Sequence, residues 1–395
     1  MSKKTVKDVQ WAGKRALVRV DFNLTFKPGT TTISDDTRIR AVLPTVQHLR
    51  EQGAGLVLCT HLGRPSGGPS PGLELGPVAE RLSELTGAPV QYVHDAVGEL
   101  ARTQAEALRP GDILLLENVR FYPGEEANDP EFAQALAALA HVYVNDAFGA
   151  AHRAHASTEG VAHYLPAVAG LLMEQETTML GRVLETPQRP LAAVLGGAKV
   201  SDKTGVLSRL VDRADDIFIG GGMAATFLRA KGHDVGSSLV EEDRVALCGD
   251  IMRRAGRGGA ALHLPTDVMV TERLEAGARS KTVPADQVPS GWTIADIGPR
   301  TIAAFIHELD RAQTVVWNGP MGVFEVPPFD RGTQALAEAL AGSDAVTIIG
   351  GGSTADAVIH LGLADRMSHV STGGGASLEF LQGDVLPGVA ALEDR

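Results

Sequence analysis

Cysteine is scarce in this sequence, with only Cys59 and Cys248, which lie far apart along the chain. Two distant cysteines argue against a disulfide framework and favour a reducing cytoplasm as the location of the protein. No run approaches the roughly 18 apolar residues of a membrane span. The N-terminus has no apolar h-region, which predicts that the chain carries no signal peptide. No basic tract offsets the net charge of −12, and this disfavours nucleic acid as a partner.

The chain of 395 residues is too long for one ordinary hydrophobic core, so two domains are expected. Its 44% hydrophobic and 21% charged residues are typical of a soluble globular protein. Apolar runs alternate with amphipathic stretches, which predicts βαβ units and parallel sheets. The predicted strands are 16–20, 55–59, 112–116, 141–144, 191–195, 216–219, 260–264, 314–317, 345–349 and 369–371. The predicted helices include 38–51, 131–140, 334–341 and 173–185, the last suited either to connect two domains or to serve as a crossover.

The stretch 191–205, LAAVLGGAKVSDKTG, joins an apolar run to two glycines and then to two lysines. Lys199 and Lys203 lie four residues apart where a helix is predicted to begin, although that end of a helix is already positive. Two interpretations remain open. The lysines are either solvated surface residues or a positive site for an anion such as phosphate.

Basic residues follow the predicted strands of the first half. Ligands of open parallel sheets bind beyond the carboxyl ends of the strands, so these positions are informative. They are occupied by Asp21, Asn23, His61, Arg64, Arg120, Asp146, His152, Arg153 and His155. Arg38 adds a cation at the start of a predicted helix. Any one of them is typical of a surface, but together they predict a site for a small, multiply anionic molecule.

Glycine follows the predicted strands of the second half. Triplets occur at 220–222, 350–352 and 373–375, and residues 318–320 read Asn-Gly-Pro. Glycine allows backbone N–H groups to approach a phosphate closely, although packing of a loop against the sheet explains any single triplet equally well.

Two other classes of protein are alternatives to a phosphate-binding enzyme. A Walker A pattern is absent, but GxGxxA occurs at 220–225 and at 350–355, with Glu241 or Glu242 about 20 residues past Gly222. This weak signal keeps open an oxidoreductase that binds a nicotinamide cofactor. A non-catalytic sugar- or anion-binding protein of two α/β lobes is the third hypothesis, and the lack of an export signal disfavours it.

Ten motifs resemble phosphoglycerate kinases, in order and over essentially the whole chain. They are VRVDFN (18–23), HLGRP (61–65), LLENVRFYPGEE (115–126), VNDAFGAAHRAHAS (144–157), GGAKVSDK (196–203), IGGGMAATFL (219–228), LPTD (264–267), DIGP (296–299), WNGPMGVFE (317–325) and STGGGASLEFL (371–381). The resemblance implies two doubly wound, Rossmann-like α/β domains that face each other across a cleft. The glycerate-binding domain is expected at 1–170 plus a returning tail from about 380 to 395. The nucleotide-binding domain is expected at 171–379, entered through the helix 173–185.

The same resemblance implies the roles of individual residues. Glycerate-side roles fall on Asp21, Phe22, Asn23, Arg38, His61, Leu62, Gly63, Arg64, Arg120 and Arg153. Nucleotide-side roles fall on Lys203, Gly220, Gly221, Asn318, Glu325, Gly351, Gly352, Ser353 and Thr354. Catalytic roles fall on Arg38, Lys199, Lys203, Gly352 and Gly375.

Two positions depart from the pattern of the family. Ser353 stands where the family usually has the aspartate expected to contact nucleotide-bound Mg²⁺, and a hydroxyl is a poorer ligand for a hard cation than a carboxylate. Asp356 lies three residues further on and is a candidate substitute that acts through water. Ile294 stands where a glycine is common, which is expected to alter packing near the nucleotide base.

The implied reaction is reversible, in-line phosphoryl transfer from 1,3-bisphosphoglycerate to ADP, without a covalent enzyme intermediate. In the reverse direction the acceptor is an ionised carboxylate, so no general base is needed. Positioning and neutralisation of the phosphoryl charge are what the reaction requires. The expected partners are these small molecules, with Mg²⁺ accompanying the nucleotide, in a cytoplasmic monomer whose domains close around the substrates.

Overall fold

The computed structural model describes residues 3–65 and 67–395, which form two compact units. Unit 1 runs to Thr178 and includes Val385–Arg395, and unit 2 is Met179–Asp384. The division falls at residue 178, within the helix that the sequence assigned to the connection, and the segment from residue 385 belongs to unit 1.

Unit 1 contains a six-stranded parallel sheet. Its strands are β1 (Arg15–Arg19), β2 (Gly55–Cys59), β3 (Val90–Tyr92), β4 (Ile113–Leu115), β5 (Val142–Asn145) and β6 (Ala167–Ala169), in the order β3-β4-β2-β1-β5-β6. Its helices are α1 (Thr37–Glu51), α2 (Gly76–Thr86), α3 (Glu99–Glu106), α4 (Pro123–Glu126), α5 (Pro130–Ala137) and α6 (Leu171–Glu185), the last of which contains the unit boundary. Buried apolar strands of this kind are typical of a sheet covered on both faces.

Unit 2 has two sheets. Its strands are β7 (Leu191–Leu195), β8 (Asp216–Ile219), β9 (Ala261–His263), β10 (Asp267–Thr271), β11 (Ser280–Pro284), β12 (Thr293–Ile297), β13 (Thr314–Asn318), β14 (Val346–Gly350) and β15 (His369–Val370). Six of them form a parallel sheet in the order β15-β14-β13-β7-β8-β9. The helices are α7 (Thr204–Leu210), α8 (Met223–Ala230), α9 (Val245–Ala255), α10 (Pro299–Leu309), α11 (Arg331–Ala341), α12 (Gly352–His360) and α13 (Gly375–Gln382).

All ten predicted strands and all four predicted helices are present, with ends that shift by a few residues. The two parallel sheets confirm the predicted α/β class. Sequence reasoning missed β3 and β6, which have only three residues each, too few for a periodic pattern. It also missed the antiparallel sheet β11-β10-β12, because a scheme of alternating strands and helices has no place for adjacent hairpins.

Ile294, one of the two departures from the family pattern, lies in β12 of the antiparallel sheet. Its N–H donates to Oγ of Ser238 at 2.9 Å, and it pairs with Val270 where the register of β10 and β12 shifts. Its side chain is buried in a small core that includes Leu228 of α8 and Val288. The isoleucine therefore fills the space between the antiparallel sheet and α8.

The C-terminal segment packs on unit 1 through α14 (Pro387–Ala390). The N–H of Gly388 donates to the carbonyl of Ala151 at 2.9 Å, and the Gly388 carbonyl accepts from Nδ2 of Asn145 at 3.0 Å. The tail thereby supports the loop after β5, which carries Arg153.

Among the described residues, no helix is long and apolar enough to cross a membrane.

Candidate active site

The predicted glycerate-side residues lie at one edge of the parallel sheet of unit 1. Strands β4, β2, β1 and β5 are neighbours in that order and point the same way, so the segments that follow them meet. This topology brings together residues from four distant parts of the chain.

The guanidinium group of Arg38 is oriented by an ion pair with Asp21. Its Nη1 donates to Oδ2 of Asp21 at 2.6 Å, across from the second position of α1 to the end of β1. Burial alone raises the pKa of Asp21, but its interaction with His61 and the charges of Arg38 and Arg19 outweigh it, and the pKa lies below its usual value. The carboxylate explains why a cation is tolerated at the positive end of α1.

Hydrogen bonds join the strand-end loops to one another. The N–H of Gly63 donates to Oδ1 of Asn23 at 2.8 Å, and the Gly63 carbonyl accepts from Nη1 of Arg120 at 2.6 Å. Leu62 is bound on both sides by the buried amide of Asn118, whose Nδ2 donates to the Leu62 carbonyl at 2.8 Å. Gly63 has φ of +63°, and a Cβ there would lie 2.7 Å from Leu73.

Phe22 is completely buried, and its N–H donates to Oγ1 of Thr60 at 2.8 Å. Arg64 is exposed, whereas Arg153 is half-buried with its Nε 3.1 Å from Nε2 of His152. The structure therefore places every predicted glycerate-side residue at this edge, although Phe22 supports the loop from within rather than facing solvent.

Sequence reasoning missed Arg19, a buried charged side chain that lies beneath this edge. Arg19, 1% exposed, has its Nε 2.8 Å from Oγ of Ser157 and its Nη2 3.1 Å from Nδ1 of His61. Ser157 in turn donates from Oγ and N to the two carboxylate oxygens of buried Glu125, at 2.6 and 2.9 Å. A charged residue within the apolar run VRV was the signal that could have revealed it.

The bond from Arg19 fixes the protonation of His61. A guanidinium only donates hydrogen bonds, so Nδ1 of His61 accepts and the ring proton lies on Nε2. Burial is the main cause that lowers the pKa of His61 well below its usual value, and Arg19, Arg120 and Arg153 add to this. His61 is thus a neutral hydrogen-bonding residue.

Positive charge is crowded at this edge. Burial and the nearby Arg153 lower the pKa of Arg120, while burial and Arg120 lower the pKa of His155 to about 4. Such mutual repulsion is unfavourable unless an anion is bound, so the edge is suited to a ligand with several negative charges.

The glycine loops of unit 2 interlock. The N–H groups of Gly220 and Gly221 donate to the carbonyls of Leu195 and Met321, both at 2.9 Å. A Cβ at Gly221 would lie 2.5 Å from the nitrogen of Gly197, and one at Gly319 would lie 2.2 Å from the Gly196 carbonyl oxygen. These glycines are required by close packing of backbones, and the N–H groups of Gly220 and Gly221 already have acceptors, which favours loop packing over phosphate binding for this triplet.

The start of α12 is different. Gly351 has φ of +85° and the helix begins at Gly352, so its first N–H groups have no acceptor within the helix. Oγ1 of buried Thr354 accepts from the N–H of Gly319 at 2.6 Å. Beside it, Nδ2 of Asn318 is buried and has no hydrogen-bond partner among the described residues. A buried donor left without an acceptor costs free energy, which points to a missing ligand acceptor.

The two lysines lie on either side of the point where the chain turns into α7. Lys199 is exposed in the segment after β7, and Lys203 ends the 3₁₀ turn Ser201–Lys203 as the N-cap residue of α7. The predicted helix start is therefore confirmed to within a few residues, since the 3₁₀ turn begins at Ser201 and α7 begins at Thr204. Lys203 is 7% exposed, and burial lowers its pKa, which Asp202 opposes only in part.

Glu325 and Gly375 are both exposed, the first after β13 and the second at the start of α13. Gly374, which precedes α13, has φ of +51°. Helices α12 and α13 thus begin at the ends of the adjacent strands β14 and β15.

Nothing in the described part of the chain forms a protein-held metal centre: no group there of three or more His, Cys, Asp or Glu is arranged to hold an ion. At the start of α12, Ser353 and Asp356 are both exposed. A Mg²⁺ that arrives on a nucleotide needs only one or two protein oxygens, but position 353 offers a neutral hydroxyl. The residues therefore do not fit a site in which the protein holds the ion by a carboxylate at this position.

The two acidic residues that supported a nicotinamide cofactor, Glu241 and Glu242, have other contacts in the structure. Oε2 of Glu241 accepts from the N–H of Ser201 at 3.1 Å, and Glu242 is exposed with its carboxylate 3.8 Å from Arg229. Glu241 is occupied by the lysine-bearing loop, and the glycines of the first GxGxxA match are packed against other backbone.

A sequence profile described as phosphoglycerate kinase matches residues 6–384. Curated proteins of that name from Chloroflexus aurantiacus and Herpetosiphon aurantiacus are 56% and 54% identical, over 399 and 395 aligned residues. Both alignments cover 100% of each chain.

Solved structures show the same likeness. The phosphoglycerate kinase of Coxiella burnetii superposes with a TM-score of 0.89 at 41% identity, and that of Pyrococcus horikoshii with 0.87 at 33% identity. Each comparison covers 98% of both chains.

His61 is expected to stay neutral, with its proton on Nε2, from about pH 5.5 to 8, because burial and the surrounding arginines lower its pKa. Long-range ¹H–¹⁵N NMR of the imidazole nitrogens measures both tautomer and titration. The spectrum of His61→Gln identifies the resonance, and a midpoint near the ordinary histidine value would contradict the assignment.

Proposed function

The chain belongs to the phosphoglycerate kinase family, and from this premise we propose which of its residues carry the reaction. The enzyme transfers a phosphoryl group reversibly from 1,3-bisphosphoglycerate to ADP, giving 3-phosphoglycerate and ATP, as a step of glycolysis. The observation that supports the placement best is the crowding of cations at the sheet edge of unit 1, where burial and nearby Arg153 lower the pKa of Arg120.

The glycerate substrate is proposed to bind at that edge. Arg64, Arg120 and Arg153 supply guanidinium groups for its phosphate, and neutral His61 donates from Nε2. Asp21 and Asn23 carry the polar groups of the loop after β1, and Leu62 and Gly63 shape its wall. Buried Arg19 keeps the imidazole oriented from below.

The nucleotide is proposed to bind along the glycine loops of unit 2. The N–H groups at the start of α12 (Gly352, Ser353 and Thr354) are suited to its phosphates, and the unpaired Nδ2 of Asn318 lies beside them. Gly220 and Gly221 contribute a flat wall without side chains, and exposed Glu325 is assigned to the ribose.

Transfer is proposed to be in line, with no covalent enzyme intermediate. The phosphoryl group leaves one oxygen and joins another, and the acceptor carboxylate or ADP needs no base because it is already ionised. Arg38, Lys199 and Lys203 neutralise the charge of the moving group, and the N–H groups of Gly352 and Gly375 add fixed dipoles. Asp21 holds Arg38 at 2.6 Å, so its guanidinium is oriented before substrate arrives.

Substitution of Arg38 or of Lys203 by alanine should keep the fold but reduce turnover by a factor of about 10²–10³, as for other groups that stabilise transition-state charge. The variants are Arg38→Ala and Lys203→Ala, measured by coupled ATP formation, with circular dichroism as the test of folding. Arg40→Ala and Lys231→Ala are matched controls, since both side chains are exposed and neither is assigned to the site. A turnover near that of the unmodified enzyme in either test variant would overturn the assignment.

Hinge closure is proposed because the two substrates are assigned to different units and must meet without water between them. Small-angle scattering with 3-phosphoglycerate and a nucleotide bound together should report a smaller radius of gyration than either ligand alone. An unchanged radius under saturation would contradict closure.

Magnesium is proposed to enter with the nucleotide and to be held mainly by its phosphates, because Ser353 replaces the carboxylate. The variant Ser353→Asp should therefore need less Mg²⁺ for half-maximal rate, by about tenfold or more. Ser353→Ala tests the hydroxyl and Asp356→Asn tests the neighbouring carboxylate in the same titration. Superimposable curves for Ser353→Asp and the unmodified enzyme would refute the proposal.

We propose a cytoplasmic monomer that binds no nucleic acid. The net charge of −12 and the two buried, unbridged cysteines support this. Light scattering after size-exclusion chromatography tests the monomer, for which a mass near 41.4 kDa is expected.

A further inference from the structure

Glu241 lies beside the loop that carries both candidate lysines. Residues 199–203 leave β7 and enter the 3₁₀ turn Ser201–Lys203, and the N–H of Ser201 donates to Oε2 of Glu241 at 3.1 Å. Glu241 is itself tied to α8, because its N–H donates to Oγ1 of buried Thr226 at 3.2 Å. The carboxylate therefore bridges a helix of unit 2 and the lysine loop.

Several groups of the loop act on this one carboxylate. Burial raises the pKa of Glu241, but the hydroxyl and N–H of Ser201, the N–H of Val200 and the charge of Lys199 outweigh it and lower the pKa. The charged form thus accepts from the N–H of Ser201, the first residue of the turn that ends at Lys203. The next residue, Glu242, is exposed and makes no comparable contact.

We propose that Glu241 is a positioning residue for phosphoryl transfer. Its carboxylate fixes the backbone of residues 199–203, so that the ammonium groups of Lys199 and Lys203 are correctly placed for the phosphoryl group. The proposal rests on the proposed function, in which these lysines neutralise phosphate charge. Glu241 acts through the loop and does not touch the substrate. A lysine ends in a point charge on a flexible four-carbon stem, so the backbone below it must be held if the charge is to be placed accurately.

The test compares Glu241→Ala and Glu241→Gln with the matched neighbour Glu242→Gln. Glu241→Ala should lower kcat by about tenfold to a hundredfold, the size of effect that misplacement of a reacting group produces. The KM for 3-phosphoglycerate should not change, because unit 1 is untouched. Glu241→Gln retains an acceptor oxygen for Ser201 and should recover part of kcat, and Glu242→Gln should match the unmodified enzyme.

Amide hydrogen exchange gives a readout that does not depend on activity. Loss of the acceptor in Glu241→Ala should speed exchange at Ser201 by about tenfold, while amides of β7 stay protected. Unchanged exchange together with unchanged kcat would overturn the proposal.

Double variants separate this proposal from the function on which it rests. If Lys199 and Lys203 act through the held loop, Glu241→Ala should add less than about twofold when both lysines are already alanine. A full additional loss in that background would show a merely structural role for Glu241 and overturn the proposal. If instead Lys199→Ala and Lys203→Ala themselves turn over normally, it is the assigned function of the lysines that fails.

Discussion

Parallel strand order is the constraint on which both candidate sites depend. In each six-stranded sheet the strands run the same way, so the loops that follow them gather at one edge. The two units use that edge differently. Unit 1 fills it with cationic side chains, whereas unit 2 brings backbone so close that only glycine fits. The same topology therefore gathers charged side chains in unit 1 and closely packed backbone in unit 2.

The charge at the edge of unit 1 costs stability and is offset locally. Arg19 lies inside the sheet only because Ser157, His61 and a carbonyl accept its hydrogen bonds, with Glu125 beyond them. Burial nonetheless raises the pKa of Glu125, which shows how strongly this interior disfavours charge. The arrangement is best satisfied when an anion is present, and a family of phosphate-handling enzymes is where such a cost is expected.

Each of the ten apolar runs corresponds to a strand of the structure, because a buried parallel strand must be almost uniformly apolar. They did not reveal β3 and β6, which have three residues each, or β11, which is partly exposed. The buried strands β10 and β12 were missed because an antiparallel sheet has no place in a scheme of alternating strands and helices. The strand-end rule found Arg120 and Arg153, since it needs only the end of each run. It could not find Glu125 or Ser157, because those residues act through contacts that only the folded chain creates. The catalytic roles of Lys199 and Lys203 are implied by resemblance, whereas the 3₁₀ turn that carries Lys203 is visible only in the folded chain.

The interlocked loops of unit 2 have a consequence for how this sequence can diverge. Gly196, Gly221 and Gly319 each lie where a Cβ would be within 2.5 Å of another loop's backbone. No other amino acid lacks that atom, so no single substitution at these positions leaves the contact intact. A substitution at any of the three positions must therefore be accompanied by a shift of the loop that it faces.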